Sequence, residues 1–283
     1  TTPSKEKVYD GTALTAAGAI SGLINEETVT FTTTGSQTAV GDSKNTYKLE
    51  WNGTAKESNY AISETVGTLK VTENQDEIVV TTIGGTFTYD GKSHGATVEV
   101  SQLPVGYILE TATSNASAKD VTTKDVVATC DTLVIKNVAG EDVTSKLKVK
   151  KVDGIIKIEP AKVTITVADD SKMYGHKDPA FKDAVLAGNI AGELSDINLS
   201  VVRSNAKDDT VKVHKGVLSI RQTVEALNAA YTNYVFTVVP GDFEIKTNTA
   251  DLRLSTTPYS GMYDGENHAV SAEASVKGAV IEY

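Results

Sequence analysis

Tyr-Asp-Gly occurs three times in this chain, as Tyr9-Asp10-Gly11, Tyr89-Asp90-Gly91 and Tyr263-Asp264-Gly265, and Tyr174-Gly175 stands where a further copy would fall. A phenol beside a carboxylate could relay a proton, and His94 and His268 follow two of the copies at the same offset, as an acid–base set would require. The alternative is mechanical. Asp can hydrogen-bond its own backbone, Gly supplies positive φ, and the Tyr ring can cap the apolar layer of the preceding strand. Tyr174-Gly175-His176 separates the two readings, because it keeps the aromatic and the glycine and drops the carboxylate. A reaction centre cannot lose its carboxylate in a working copy, whereas a turn can be closed another way. The motif is therefore expected to be structural, and no catalytic residue is assigned.

The other reactive side chains point the same way. Zinc needs three or four converging ligands, and His94, His176, His214 and His268 lie far apart in sequence with no cysteine beside them. Asp169-Asp170, Asp178, Asp183, Asp208-Asp209 and Glu141-Asp142 are acidic clusters, but none has the spaced carboxylates of a calcium loop. No Gly-x-Ser-x-Gly elbow is present. Cys130, the one cysteine, sits in a strand-like run and is expected to be a buried thiol. Lys70 with Asn59, and Lys246 with Asn233, could form isopeptide cross-links if buried beside a carboxylate. Neither a cofactor nor a metal is expected.

Composition narrows the partners. The chain has 283 residues, with 27 basic against 37 acidic side chains and a net charge of −10. That field repels nucleic acid and anionic membranes. No apolar run approaches a membrane span. A single cysteine suits a reducing cytosol or a secreted protein built without disulfides. Of the eleven tyrosines, Tyr47, Tyr107 and Tyr231 are free of the turn motif and are candidates for exposed contact residues. The single tryptophan, Trp51, is a thin supply for stacking on sugar rings.

The elements that would position these residues repeat. The stretches "VGTLKVTEN", "DGIIKIEPA" and "PGDFEIKTN" each place a glycine before an alternating apolar strand, and the steps from Gly67 to Gly154 and from Gly154 to Gly241 are both 87 residues. The Tyr9, Tyr89, Tyr174 and Tyr263 motifs head the same units, which run 1–74, 75–160, 161–247 and 248–283, the last a truncated start of a module. Asn59-Tyr60 and Asn233-Tyr234 precede what reads as a terminal hairpin. Short helices are conceivable at Asp178–Ile190 and Thr12–Ile24. The rest reads as about six strands per unit, joined by turns and polar junctions. The expected fold is all-β, a tandem array of small immunoglobulin-like sandwiches in extended arrangement, with a β-grasp-like module carrying one short helix as the alternative.

The three Tyr-Asp-Gly copies, "MYGHKDP" after "VTITVADDSK", the Asn-Tyr ending and the "LPVG" of Leu103–Gly106 together resemble the YDG and MBG repeat domains of large bacterial surface proteins. The resemblance covers nearly the whole chain. It implies repeats one and two of YDG type and a third of MBG, YGX type, in an adhesin-like protein that is secreted or attached to the cell wall. It transfers no catalytic residue. The implied role is a stalk that presents a binding domain. Alternatives are repeats that themselves bind a host glycoprotein, mucin glycan or immunoglobulin, and an accessory module of a polysaccharide-degrading enzyme. The chain is expected to be a monomeric piece of something longer.

Overall fold

A computed structural model describes residues 1–190, 192–249, 253–275 and 281–282. The fold is all-β, and the chain divides into two compact units, Thr1–Pro160 and Ala161–Tyr283. The first unit opens with β1 (Lys5–Val8), β2 (Thr30–Thr33), β3 (Gly41–Lys44), β4 (Tyr47–Glu50) and β5 (Thr68–Thr72). There β5 lies between β1, in parallel, and β3, antiparallel, while β2 and β4 form a separate antiparallel pair.

The same unit continues with β6 (Ile78–Ile83), β7 (Gly85–Thr88), β8 (His94–Gly95), β9 (Thr97–Val100), β10 (Tyr107–Thr113), β11 (Ser117–Ala118), β12 (Val126–Ala128), β13 (Thr132–Asn137), β14 (Val149–Val152) and β15 (Gly154–Glu159). The second unit holds β16 (Ala161–Thr166), β17 (Asp170–Met173), β18 (Val185–Ala187), β19 (Val201–Arg203), β20 (Val213–Ile220), α1 (Val224–Ala230), β21 (Tyr234–Val239) and β22 (Gly241–Lys246), then β23 (Leu254–Thr257) and β24 (Ser271–Ala274). Every strand pair among the described residues closes within 1–74, 75–160, 161–247 or 248–283.

One arrangement recurs and explains the glycine spacing. β6 and β7 are a single strand path bent at Gly84, and β14 and β15 are another bent at Gly154. β6 pairs in parallel with β14 and β7 with β15, so the two paths bend together and pass from one sheet to the next. In the second unit β16 pairs in parallel with β21, and β17 with β22, in the same way. At the bend the backbones touch. A Cβ on Gly154 would lie 2.4 Å from the Thr82 carbonyl oxygen, one on Gly241 2.5 Å from that of Ala168, and one on Gly67 2.3 Å from the Pro3 carbonyl carbon. Only glycine fits these three corners.

This corrects the expected terminal hairpin. β14 and β15 do not pair with each other, and neither do β21 and β22; each pair is one strand that changes sheets. Past the corner, alternation drives the packing: Leu69 and Val71, Ile156 and Ile158, and Phe243 and Ile245 are buried two and four residues after the glycine.

Neither expected helix forms. Thr12–Ile24 has no regular structure; Leu14 is buried and bridges Gln37, and two glycines would cost a helix there about 1 kcal/mol each. In 178–190, Val185–Ala187 instead pairs antiparallel with β16, so sheet pairing outweighs a weak periodicity. The α-helix among the described residues is α1, where the Thr223 hydroxyl accepts the Ala226 N–H at 3.2 Å and Leu227 is buried. No helix among the described residues is long and apolar enough to cross a membrane.

Candidate functional site

The Tyr-Asp-Gly corner begins where the parallel strands end. The backbone N–H of Tyr9 donates to the Thr72 carbonyl, that of Tyr89 to Glu159 and that of Tyr174 to Lys246, each at 2.8 Å. These are the last rungs between the first and last strands of a repeat. Asp then turns the chain. Asp10 Oδ1 accepts from the Thr12 backbone N–H and hydroxyl, both at 2.8 Å, and Asp90 Oδ1 from the Lys92 N–H at 2.9 Å. Asp264 Oδ1 accepts from the Glu266 N–H at 3.0 Å. Gly11, Gly91, Gly175 and Gly265 all have φ between 77° and 85°.

The carboxylates are thus committed to their own turns. His94 Nε2 lies 3.0 Å from Asp90 Oδ1 and His268 Nε2 2.9 Å from Asp264 Oδ1, which matches the offset seen in sequence. The His94 ring stacks on Phe87 and the His268 ring on Tyr259, with centroids 4.2 and 3.7 Å apart. In the first repeat Lys7 takes this place, its Nζ 2.6 Å from Asp10 Oδ1. That contact and the Thr12 donors hold the Asp10 carboxyl down at about 2. Lys7 and Phe87 both stand two residues before the motif tyrosine, a signal legible in the sequence only once the corner is known.

The tyrosines divide into two groups. Tyr9 and Tyr89 are buried, at 5% and 4% exposed, and Tyr9 packs with Leu14, Leu69 and Val71. Tyr174 and Tyr263, at 52% and 98%, cap nothing, which corrects the expectation for these two. In the third repeat a charge network fastens the corner instead. Lys172, two residues before Tyr174, has its Nζ 2.8 Å from both Asp178 and Asp209. Arg203, with its side chain 1% exposed, reaches Asp178 at 3.0 Å and Asn205 at 2.8 Å and lies over the Phe243 ring at 4.6 Å. Burial works against the Lys172 ammonium, yet Asp178 and Asp209 outweigh it and hold its pKa above the ordinary lysine value. His214 closes the same loop, its ring nitrogens 2.9 Å from the Asn205 amide and the Thr210 carbonyl. Asp178 and Asp209, drawn from acidic clusters in the sequence, are therefore paired from within the fold.

Among the described residues no three His, Cys, Asp or Glu side chains gather as a metal site would. Cys130 is buried with Ile78, Val80 and Ile135, its thiol donating to the Thr132 carbonyl at 3.3 Å. Lys70 and Lys246 are half-exposed and paired with Glu6 and Glu244, so neither is the buried amine an isopeptide bond requires. Repeat one collects four rings on and beside its β2–β4 pair: Phe31 stacks on Tyr47 at 5.1 Å and Trp51 on Tyr60 at 5.7 Å. The two phenols donate to Glu64 and Glu27.

Tyr107 is the residue that sequence reasoning placed wrongly. It is no free contact residue. Its ring meets Tyr9 at 5.2 Å, packs against the cores of both the first and the second repeat, and takes a hydrogen bond from the Asn74 backbone. Beside it, a Cβ on Gly106 would lie 2.6 Å from the Asp10 carbonyl carbon and the Gly11 nitrogen, while one on Gly11 would lie 2.9 Å from Val138 Cγ1. The Val138 N–H points to the Tyr9 hydroxyl at 3.4 Å. The Leu103–Gly106 turn and the loop after β13 thus seat on the corner of repeat one. Two hollows flank this seat: one of about 70 Å³ lined by Tyr9, Val40, Tyr107, Asn137 and Leu147 among others, and an open groove of about 490 Å³ lined by Tyr9, Asp10, Asn74, Leu103 and Val105 among others. Compared with known proteins, the sequence matches no family model and no curated relative.

Proposed function

We propose that this chain is a non-catalytic repeat region of a bacterial surface adhesin of the YDG and MBG type, working outside the cell as a stalk that presents a binding domain. One observation carries the reading: the recurring corner spends its reactive groups on itself. Its carboxylates close their own turns, and in repeat one the tyrosine is the seat of the next repeat. A motif built this way multiplies without multiplying an activity, and serial repetition then adds reach. The acidic surface limits self-association.

In this reading repeats one and two are small sandwiches of immunoglobulin-like kind. The third, with α1 packed beside β21, favours the β-grasp-like alternative. A second reading draws on the rings of repeat one. Phe31, Tyr47, Trp51 and Tyr60, with Glu27 and Glu64 on the phenols, would suit a glycan or glycoprotein ligand. The immobilised chain, challenged with mucins, serum proteins and immunoglobulin, separates the two. The stalk reading expects no saturable partner at micromolar concentration. Saturable binding that also quenches Trp51 fluorescence would overturn it in favour of the second.

A further inference from the structure

The seat between repeats one and two goes beyond a spacer's needs. Two repeats joined only by the polar run Glu73–Glu77 would swing freely about it. Here a ring of repeat two, Tyr107, completes the core that Tyr9, Leu14, Leu69 and Val71 build in repeat one, and also belongs to its own core with Ile78, Val80 and Ile135. Two glycines, Gly11 and Gly106, let the backbones close to contact at the same point, and both have positive φ. The Asn74 backbone, the last residue of repeat one, bonds Tyr107. A shared core residue and a backbone contact without side chains between oppose an independent hinge motion, because close-packed surfaces must part before either repeat can turn.

We infer that the Tyr9-Asp10-Gly11 corner is a docking socket whose partner is the Leu-Pro-Val-Gly-Tyr loop of the adjoining repeat, and that filling it welds repeats one and two into one cooperative folding body. The two repeats then transmit load and unfold together. The inference concerns mechanics and holds whichever ligand, if any, the surface binds.

The chain carries its own probes. Trp51, its only tryptophan, lies in repeat one, and Cys130, its only cysteine, is buried in repeat two. Urea unfolding of the 283-residue chain is followed by Trp51 fluorescence and, in parallel, by thiol labelling of Cys130. The two curves are expected to superimpose. Leu69→Ala, a change in a fully buried side chain that repeat one itself supplies, should move both midpoints down together. In a Gly106→Ala background, where the new Cβ meets the backbone of Asp10 and Gly11, Leu69→Ala should move the Trp51 midpoint alone. Gly140→Ala is the control: it is in repeat two with φ +81° and no atom within 4 Å of the added Cβ, so it bears the same backbone strain and should keep the curves joined. Separate midpoints in the unaltered chain, or a Leu69→Ala that leaves Cys130 labelling unmoved there, would overturn the inference.

Discussion

At the scale of single residues, the motif tyrosine is worth what it touches. Tyr9 is buried against Leu14, Leu69, Val71 and Tyr107, whereas Tyr263 is almost wholly exposed. Tyr9→Ala is expected to cost about 3–4 kcal/mol, in the range of large aromatic truncations in cores. Tyr263→Ala should cost less than about 0.5 kcal/mol, as surface changes do. Chemical denaturation of the two variants checks the contrast. The neighbouring aspartate makes a pH prediction. Lys7 and Thr12 depress the folded-state pKa of Asp10 to about 2, below its unfolded value, so its contribution is present above the unfolded pKa and is lost as pH falls through about 2. An NMR titration of the side-chain carboxyls should find Asp10 ionised at pH 3, where Asp residues without such partners are mostly protonated.

At the scale of elements, the bent strand pair decides the architecture. Gly67, Gly154 and Gly241 have no need of positive φ; they are required because a carbonyl of the neighbouring path occupies the space of a Cβ. Gly154→Ala should therefore destabilise repeat two by about 2–4 kcal/mol, since backbone on both sides must shift. Gly22→Ala has open space around it, and its positive φ alone should cost only about 1 kcal/mol. Thermal unfolding of the pair tests the steric argument. The loops of the third repeat depend on a different device. Arg203 is buried between Asp178, Asn205 and Phe243, and Arg203→Ala should cost about 3 kcal/mol because it strips a partner from a buried pair. Phe243→Leu would remove the stacking and keep the ion pairs, and should cost less.

At the scale of the whole molecule, the repeats are held by packing and internal charge pairs. The carboxylates Asp178 and Asp209 of the second unit already face Lys172 and Arg203. A chelator is accordingly expected to leave the thermal midpoint of the chain unchanged in calorimetry; a fall of several degrees would show that a divalent ion takes part. The weld between repeats one and two sets the mechanical grain of the first unit, and its corner serves twice, as the end of one repeat and the seat of the next.

Much of this was legible in the sequence. The all-β composition, the 87-residue step between corner glycines, the Asx turn of Asp10 and Asp90 and the histidine at a fixed offset are local patterns. They depend on φ, hydrogen bonds two to four residues away and strand alternation. Other features were not, because they depend on what a residue meets from far along the chain. Nothing near Gly154 announces that Thr82 will press on it, and nothing near Tyr107 announces Tyr9. Nothing in the sequence sets Arg203 and Lys172 apart from the other cations, and it is the fold that buries them together. The periodicity predicts a helix at Asp178–Ile190, where Val185–Ala187 has a strand edge to join, and the helix forms at Val224–Ala230 instead. The sequence by itself determined the repeat, its period and the chemistry of its corner. The tertiary structure decided which glycines are forced, which charges are buried and which repeats are joined, since these are set by contacts between backbones and rings that only folding brings into touch.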